Sequence, residues 1–186
     1  TNNEITRKFR VIKSVGIYVP GGKASYPSTV IMGAAPAIAC GVSEISITSP
    51  AQNGILNPLT IAAAKVAGIE TIYKIGGAQA IAALALGTDQ ISKVDKIIGP
   101  GNIFVAEAKK QLFGEVGIDS IAGPSEILIL ADSSSNPETI AWDLMAQSEH
   151  DSDASGILIS DSEEIIANVK EIISIEIDSL ERCSII

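Results

Sequence analysis

An apolar segment, a turn and a helix-forming segment follow one another four times up to residue 113, and this alternation constrains the fold more than any other feature. Residues 12–19 read as a buried strand with a polar entry, broken sharply by Pro20-Gly21-Gly22. Pro27 suits the first turn of a helix, where its missing N–H costs nothing. That helix is apolar over residues 32–39 and stops at Gly41, a natural left-handed terminus. Residues 43–48 alternate as a second strand, Asn57-Pro58 opens the next helix over 59–67, and Gly68 closes it. Residues 69–75 form a third strand, Gly76-Gly77 the turn, and 78–86 a helix ended by Gly87. Residues 96–98 form a short strand, Gly99-Pro100-Gly101 the turn, and 102–113 a helix. Glu107 and Gln111 fall on its exposed side, with Lys109 and Lys110 in its later turns. Strands separated by helical crossovers predict an α/β fold: a Rossmann-like parallel sheet with right-handed connections and helices on both faces.

The second part of the chain offers less. Residues 127–131 are a strongly apolar strand, and Asn136-Pro137 is a good cap for a helix over 138–149. Trp142 and Met145 on that helix read as core or inter-domain packing rather than a ligand platform. Residues 156–160 are another strand and 162–175 an amphipathic helix; past 175 the pattern fades. A boundary near Ser125 divides a domain over 1–125 from a partial second Rossmann-like domain over 126–186. Two strands are marginal alone, so something outside this sequence is expected to complete that set.

The interior has to be built from Ile, Val, Leu and Ala, because 46% of the residues are hydrophobic but only 4% aromatic. A net charge of −9 argues against a nucleic-acid partner, which needs a basic footprint. No apolar run approaches a membrane span, no signal peptide is visible, and two widely spaced cysteines predict a reducing, cytoplasmic setting. A start at Thr1 rather than Met suggests a piece of something longer.

Ligands of parallel sheets gather at the carboxyl ends of the strands, where three glycine turns lie. Each lets a ligand approach the backbone and feeds a helix N-terminus with unpaired N–H groups. Yet Gly99-Pro100-Gly101 is not the dinucleotide fingerprint, since its third glycine position is Phe104. On motif grounds ordinary βα turn chemistry is the better account of these glycines, and a nucleotide would bind without the usual glycine cradle. A second candidate lies at Gln147-Ser148-Glu149-His150-Asp151, which holds the only histidine. Gln147 and His150 are helical neighbours, and an amide oxygen and an imidazole so placed can share a metal ion. Asp143 lies on the same stripe. The same spacing also describes a solvated polar face with a capping histidine, and two ligands do not make a site.

Taken together, six blocks resemble histidinol dehydrogenase: Val15 through Gly22, Gly76 through Leu84, Val94 through Asn102, Glu107-Ala108-Lys109, Ala122 through Glu126, and Gln147 through His150. The resemblance implies oxidation of L-histidinol to L-histidine through the aldehyde, closing histidine biosynthesis, with two NAD⁺ and one Zn²⁺ per site. It implies a homodimer whose largest domains are incomplete Rossmann-like folds. The family's NAD contacts would fall on Tyr18, Gln79 and Asn102, its substrate contacts on Ser125, Gln147 and His150, and its zinc contacts on Gln147 and His150. The family's acid/base Glu-His pair, a zinc-binding Asp and a second His come after the segment seen here. This chain is therefore expected to be an inactive fragment of a longer enzyme, with no catalytic residue of its own and an incomplete zinc site. The other reading is a non-catalytic relic that retains a nucleotide-sized cleft or only a fold.

Overall fold

Ser14–Tyr18 (β1) is buried along its whole length, which makes it the central strand of the first sheet in the computed structural model of the chain. The structure describes residues 5–21, 26–121, 126–149 and 154–180. Contacts divide the chain into two compact units, Thr1–Gly123 and Pro124–Ile186.

In the first unit β1 is followed by Pro27–Ala39 (α1), Glu44–Thr48 (β2), Pro58–Val66 (α2), Thr71–Tyr73 (β3), Gly77–Leu86 (α3), Lys96–Ile98 (β4), Ile103–Leu112 (α4) and Gly117–Ile118 (β5). The sheet has the order β3-β2-β1-β4-β5 with every pairing parallel. All four expected strands are present, the first three trimmed and Lys96–Ile98 with the expected bounds. Ile12 lies outside the ladder because pairing begins at Ser14, where Asp95 Oδ2 accepts the N–H groups of Ser14 and Lys13 at 2.9 and 2.8 Å. Those donors, Ser14 first, hold the Asp95 carboxyl below the usual carboxylate range. The edge strand β5 was not foreseen, since two residues are too few to carry a period-2 pattern.

The strand order reverses between β1 and β4, and the helices divide accordingly. Val15, Ile17 and Val19 face Val30 and Ala34 of α1 and Ala64 of α2. Tyr18 faces the other way, packing with Ala80, Ile81 and Leu84 of α3 and Val105 of α4. A Cβ on Gly16 would stand 2.8 Å from a Leu84 methyl, so this glycine is what allows α3 to lie close against β1. Ile17 and Leu84 are both fully buried, each burial contributing about 1.5–3 kcal/mol. Gly41 and Gly68 follow α1 and α2 at φ of 82° and 73°, the left-handed stops expected of them.

The second unit pairs Glu126–Ala131 (β6) with Ser155–Ser160 (β7) in parallel, and packs Pro137–Ser148 (α5) and Glu163–Glu176 (α6) beside them. Ile140, Ala141, Leu144 and Met145 meet Ile165 and Val169, with Ile127, Ile129 and Leu158 beneath. The alternate residues Leu128, Leu130, Ile157 and Ile159 remain exposed on the opposite face. Met145 is core as expected. Trp142 lies outside that core, 40% exposed on the side of α5 turned away from the Ile140–Leu144 stripe, so of its two expected roles core packing is excluded. Where the pattern faded, α6 runs on to Glu176 and ends in a 3-10 turn over Ile177–Ser179. Among the described residues no helix is long and apolar enough to cross a membrane.

Candidate functional site

At the carboxyl edge of the first sheet, the Tyr18 ring is buried in the α3 cluster while its hydroxyl accepts the Gly77 N–H at 3.0 Å. A tyrosine so held does not stack on a ligand; it fixes the start of α3 and keeps its own O–H proton to donate. Gly76, the residue before α3, has no side chain to cap it. Gln79, exposed in the first turn, folds its Oε1 back to within 2.9 Å of where a Gly77 Cβ would stand. Tyr18 and Gln79 thus meet at one helix N-terminus. Asn102 begins α4, its Oδ1 accepting from Val105 N at 3.2 Å, which leaves the amide NH₂ as the group it can offer.

Between β4 and Asn102 the chain turns through Gly99 at φ +114°. A Cβ there would lie 2.1 Å from the Tyr18 carbonyl oxygen, so Gly99 is the point at which the β4 turn rests on the end of β1. The turn is tied down by residues to which the sequence pattern assigns no role. Lys109 Nζ donates to Gly99 O at 2.5 Å and to Asp119 Oδ1 at 2.7 Å, while Asp119 Oδ2 accepts from Gly99 N at 2.7 Å. The lysine is 2% exposed. Glu107 and Gln111 do lie on the solvent side as expected, joined at 3.0 Å, whereas Lys109 shares the buried stripe of Val105 and Ala106. That position four residues after Val105 was the available signal: a lysine on an apolar stripe needs a buried partner.

Desolvation pushes the Asp119 carboxyl upward, but the hydrogen bonds from Lys109, Gly99 and Ser120 outweigh it and leave its pKa below the usual value. Its contribution to stability is then fully present above the ordinary carboxylate range and is lost as pH falls through and below that range. Asp119→Asn should flatten the acid limb of the pH–stability curve measured by urea unfolding; an unchanged acid limb would count against the pairing.

Other surfaces compete poorly with this edge. One hollow, about 550 Å³, lies at the amino ends of the strands between Ser14, Glu44, Thr71 and Lys93, where no helix N-terminus converges. A smaller one of about 300 Å³ opens at the carboxyl end of β2 beside Gly21, Ser49, Pro50 and Asn57. In the second unit Gln147 is half-buried in the last turn of α5, and Asp143 is exposed one turn earlier. Ser125 and His150 lie outside the described residues. Among the described residues, no group of three or more His, Cys, Asp or Glu side chains could hold a metal ion.

Comparison with known proteins decides the family. The histidinol dehydrogenase family profile matches residues 1–186, the whole chain. The chain belongs to the histidinol dehydrogenase family. It is 60% identical over 167 residues to histidinol dehydrogenase 1 of Nostoc sp., covering 88% of this chain and 39% of that one. Against the histidinol dehydrogenase of Clostridium acetobutylicum it is 56% identical over 181 residues, 97% of this chain and 42% of the relative. The crystal structure of histidinol dehydrogenase from Elizabethkingia anophelis superposes with a TM-score of 0.90 at 43% identity, over 95% of this chain and 41% of that one. The parallel five-stranded sheet flanked by helices is therefore the fold of a histidinol dehydrogenase segment, and this segment spans well under half the length of these relatives.

Proposed function

We propose that this chain is the NAD-side portion of a histidinol dehydrogenase, joined to part of a second Rossmann-like domain, within an enzyme that oxidises L-histidinol to L-histidine. What supports this is the placement of Tyr18 at the end of β1, Gln79 in the first turn of α3 and Asn102 at the head of α4, each following a strand's carboxyl end in a 3-2-1-4-5 parallel sheet, where such folds take nucleotides. The residues present fit NAD. The α3 N-terminus has no side-chain cap from Gly76, and with its Gly77 N–H held by the Tyr18 hydroxyl it leaves the following N–H groups to an anionic group. Gln79 adds an amide beside it, and Asn102 presents its NH₂ from the head of α4. NAD⁺ supplies a hydride acceptor when bound; the side chains named here bind and orient it.

Zinc is a different matter. Gln147 and His150 would be the ligands contributed by this chain, a neutral amide oxygen and one imidazole. That set falls short of the three protein ligands of a catalytic zinc site, and no step is derived through the metal. Ser125, Gln147 and His150 would contact the substrate in the assembled enzyme, which is proposed to be cytoplasmic and homodimeric.

The test is a titration of NAD⁺ into the chain followed by backbone amide shifts. Perturbations should centre on Tyr18, Gly77, Gln79 and Asn102, with weak affinity because no full glycine fingerprint is present. Shifts confined to other surfaces would reject the reading.

A further inference from the structure

We infer that Lys109 and Asp119 are positioning residues for the nucleotide cleft, acting through the Gly99 peptide; this rests on the nucleotide reading proposed above. The geometry is a closed ring. Gly99 N–H donates to one Asp119 oxygen, Lys109 donates to the other, and Lys109 also donates to the Gly99 carbonyl. Both hydrogen-bonding groups of a single residue are thereby held, and that residue rests on the Tyr18 carbonyl with no room for a Cβ. Three residues later comes Asn102. The ring therefore sets the spacing between the end of β1, which carries Tyr18, and the start of α4, which carries Asn102.

Stability alone is a poor reason for such a pair. Removing a lysine from water is costly, and apolar replacements of buried ion pairs are often neutral or stabilising. What an apolar side chain cannot supply is direction. Lys109 Nζ reaches two oxygens at once, so the turn has one conformation in which all three bonds are made. Asp119 is a third exposed at its side chain and can be rehydrated if the lysine is removed, so Lys109→Met need not strand a buried charge.

The experiment measures NAD⁺ affinity and urea stability of the 186-residue chain in the wild type, Lys109→Met, Asp119→Asn and a control, Asp95→Asn. Asp95 ties the amino ends of the same two strands through Ser14 and Lys13, far from the cleft edge. The expected result is an NAD⁺ Kd raised about tenfold in Lys109→Met and Asp119→Asn, with the Gly99 amide resonance displaced in both. Asp95→Asn should lower the urea midpoint yet keep the wild-type Kd. If the wild type binds and both cleft variants bind equally well while folded, the positioning role is overturned and the nucleotide reading stands. If both variants unfold, the pair is structural and the inference fails. If the wild type shows no NAD⁺ binding, the nucleotide reading falls, and the inference with it.

Discussion

Gly99→Ala is expected to be the most damaging single-methyl change in the first unit. Its Cβ would be placed 2.1 Å from a backbone carbonyl oxygen, that of Tyr18, and a main-chain atom in the central strand cannot swing aside like the end of a side chain. The φ of +114° adds backbone strain of about 1–3 kcal/mol for any residue with a side chain. Overpacking against a close-packed interior adds about 1–3 kcal/mol more. A combined loss of about 2–6 kcal/mol is a large share of the stability of a domain this size. Moving the turn instead would break the hydrogen bonds from Gly99 to Asp119 and from Lys109 to Gly99. Urea unfolding reads the effect directly, and a midpoint within error of the wild type would show that the turn relaxes without cost. Gly16→Ala is a useful comparison, because the nearest atoms to its Cβ belong to the Leu84 side chain, the methyls at 2.8 and 2.9 Å, and not to the backbone, so it should be milder.

The 186-residue chain alone is expected to show no histidinol-dependent NAD⁺ reduction and no tightly held zinc, even when folded. Two-hydride oxidation of one alcohol carbon needs a base for the alcohol proton and a water to add to the aldehyde. A zinc ion can polarise the oxygen and acidify that water only if it is first held. His150 offers one good nitrogen and Gln147 a neutral oxygen, a poor ligand beside a carboxylate or thiolate. If a full set of four ligands supplies about 10–16 kcal/mol, two missing ligands forfeit on the order of 5–8 kcal/mol. Adding the remaining portion carried by the longer relatives, in trans or in cis, should restore both metal retention and turnover. Turnover by the 186-residue chain, abolished by His150→Ala, would show that its active site is already complete.

Much of the architecture was legible because it depends on local chemistry. Pro27 and Pro58 at helix starts, Gly41 and Gly68 at helix ends, and apolar runs of strand length between them each act over a few residues. Alternation of those runs with helices then leaves a parallel sheet as the economical way to bury both faces of every strand. The glycine turns pointed to the carboxyl edge for the same reason, since strands joined by helical crossovers all end on one side.

What stayed hidden depends on partners distant in sequence or on very short elements. Two residues of β5 carry no pattern, yet they pair with β4 and bring Asp119 to the Gly99 turn. Trp142 reads from sequence as core or inter-domain packing, and the direction of α5 turns it out of the core of its own unit. The sequence places Lys109 beside Lys110 in the later turns of its helix, and only the packing of α4 on the sheet shows it buried against Gly99 and Asp119. By itself, then, the sequence determined the α/β alternation, the strand direction, the helix boundaries and the edge where a ligand would sit, all set by propensities and turn sterics within a few residues. Only the tertiary structure decided the 3-2-1-4-5 order, the seating of Gly99 on Tyr18 and the ion pair that secures it, because each is a contact between segments that loop closure alone does not specify.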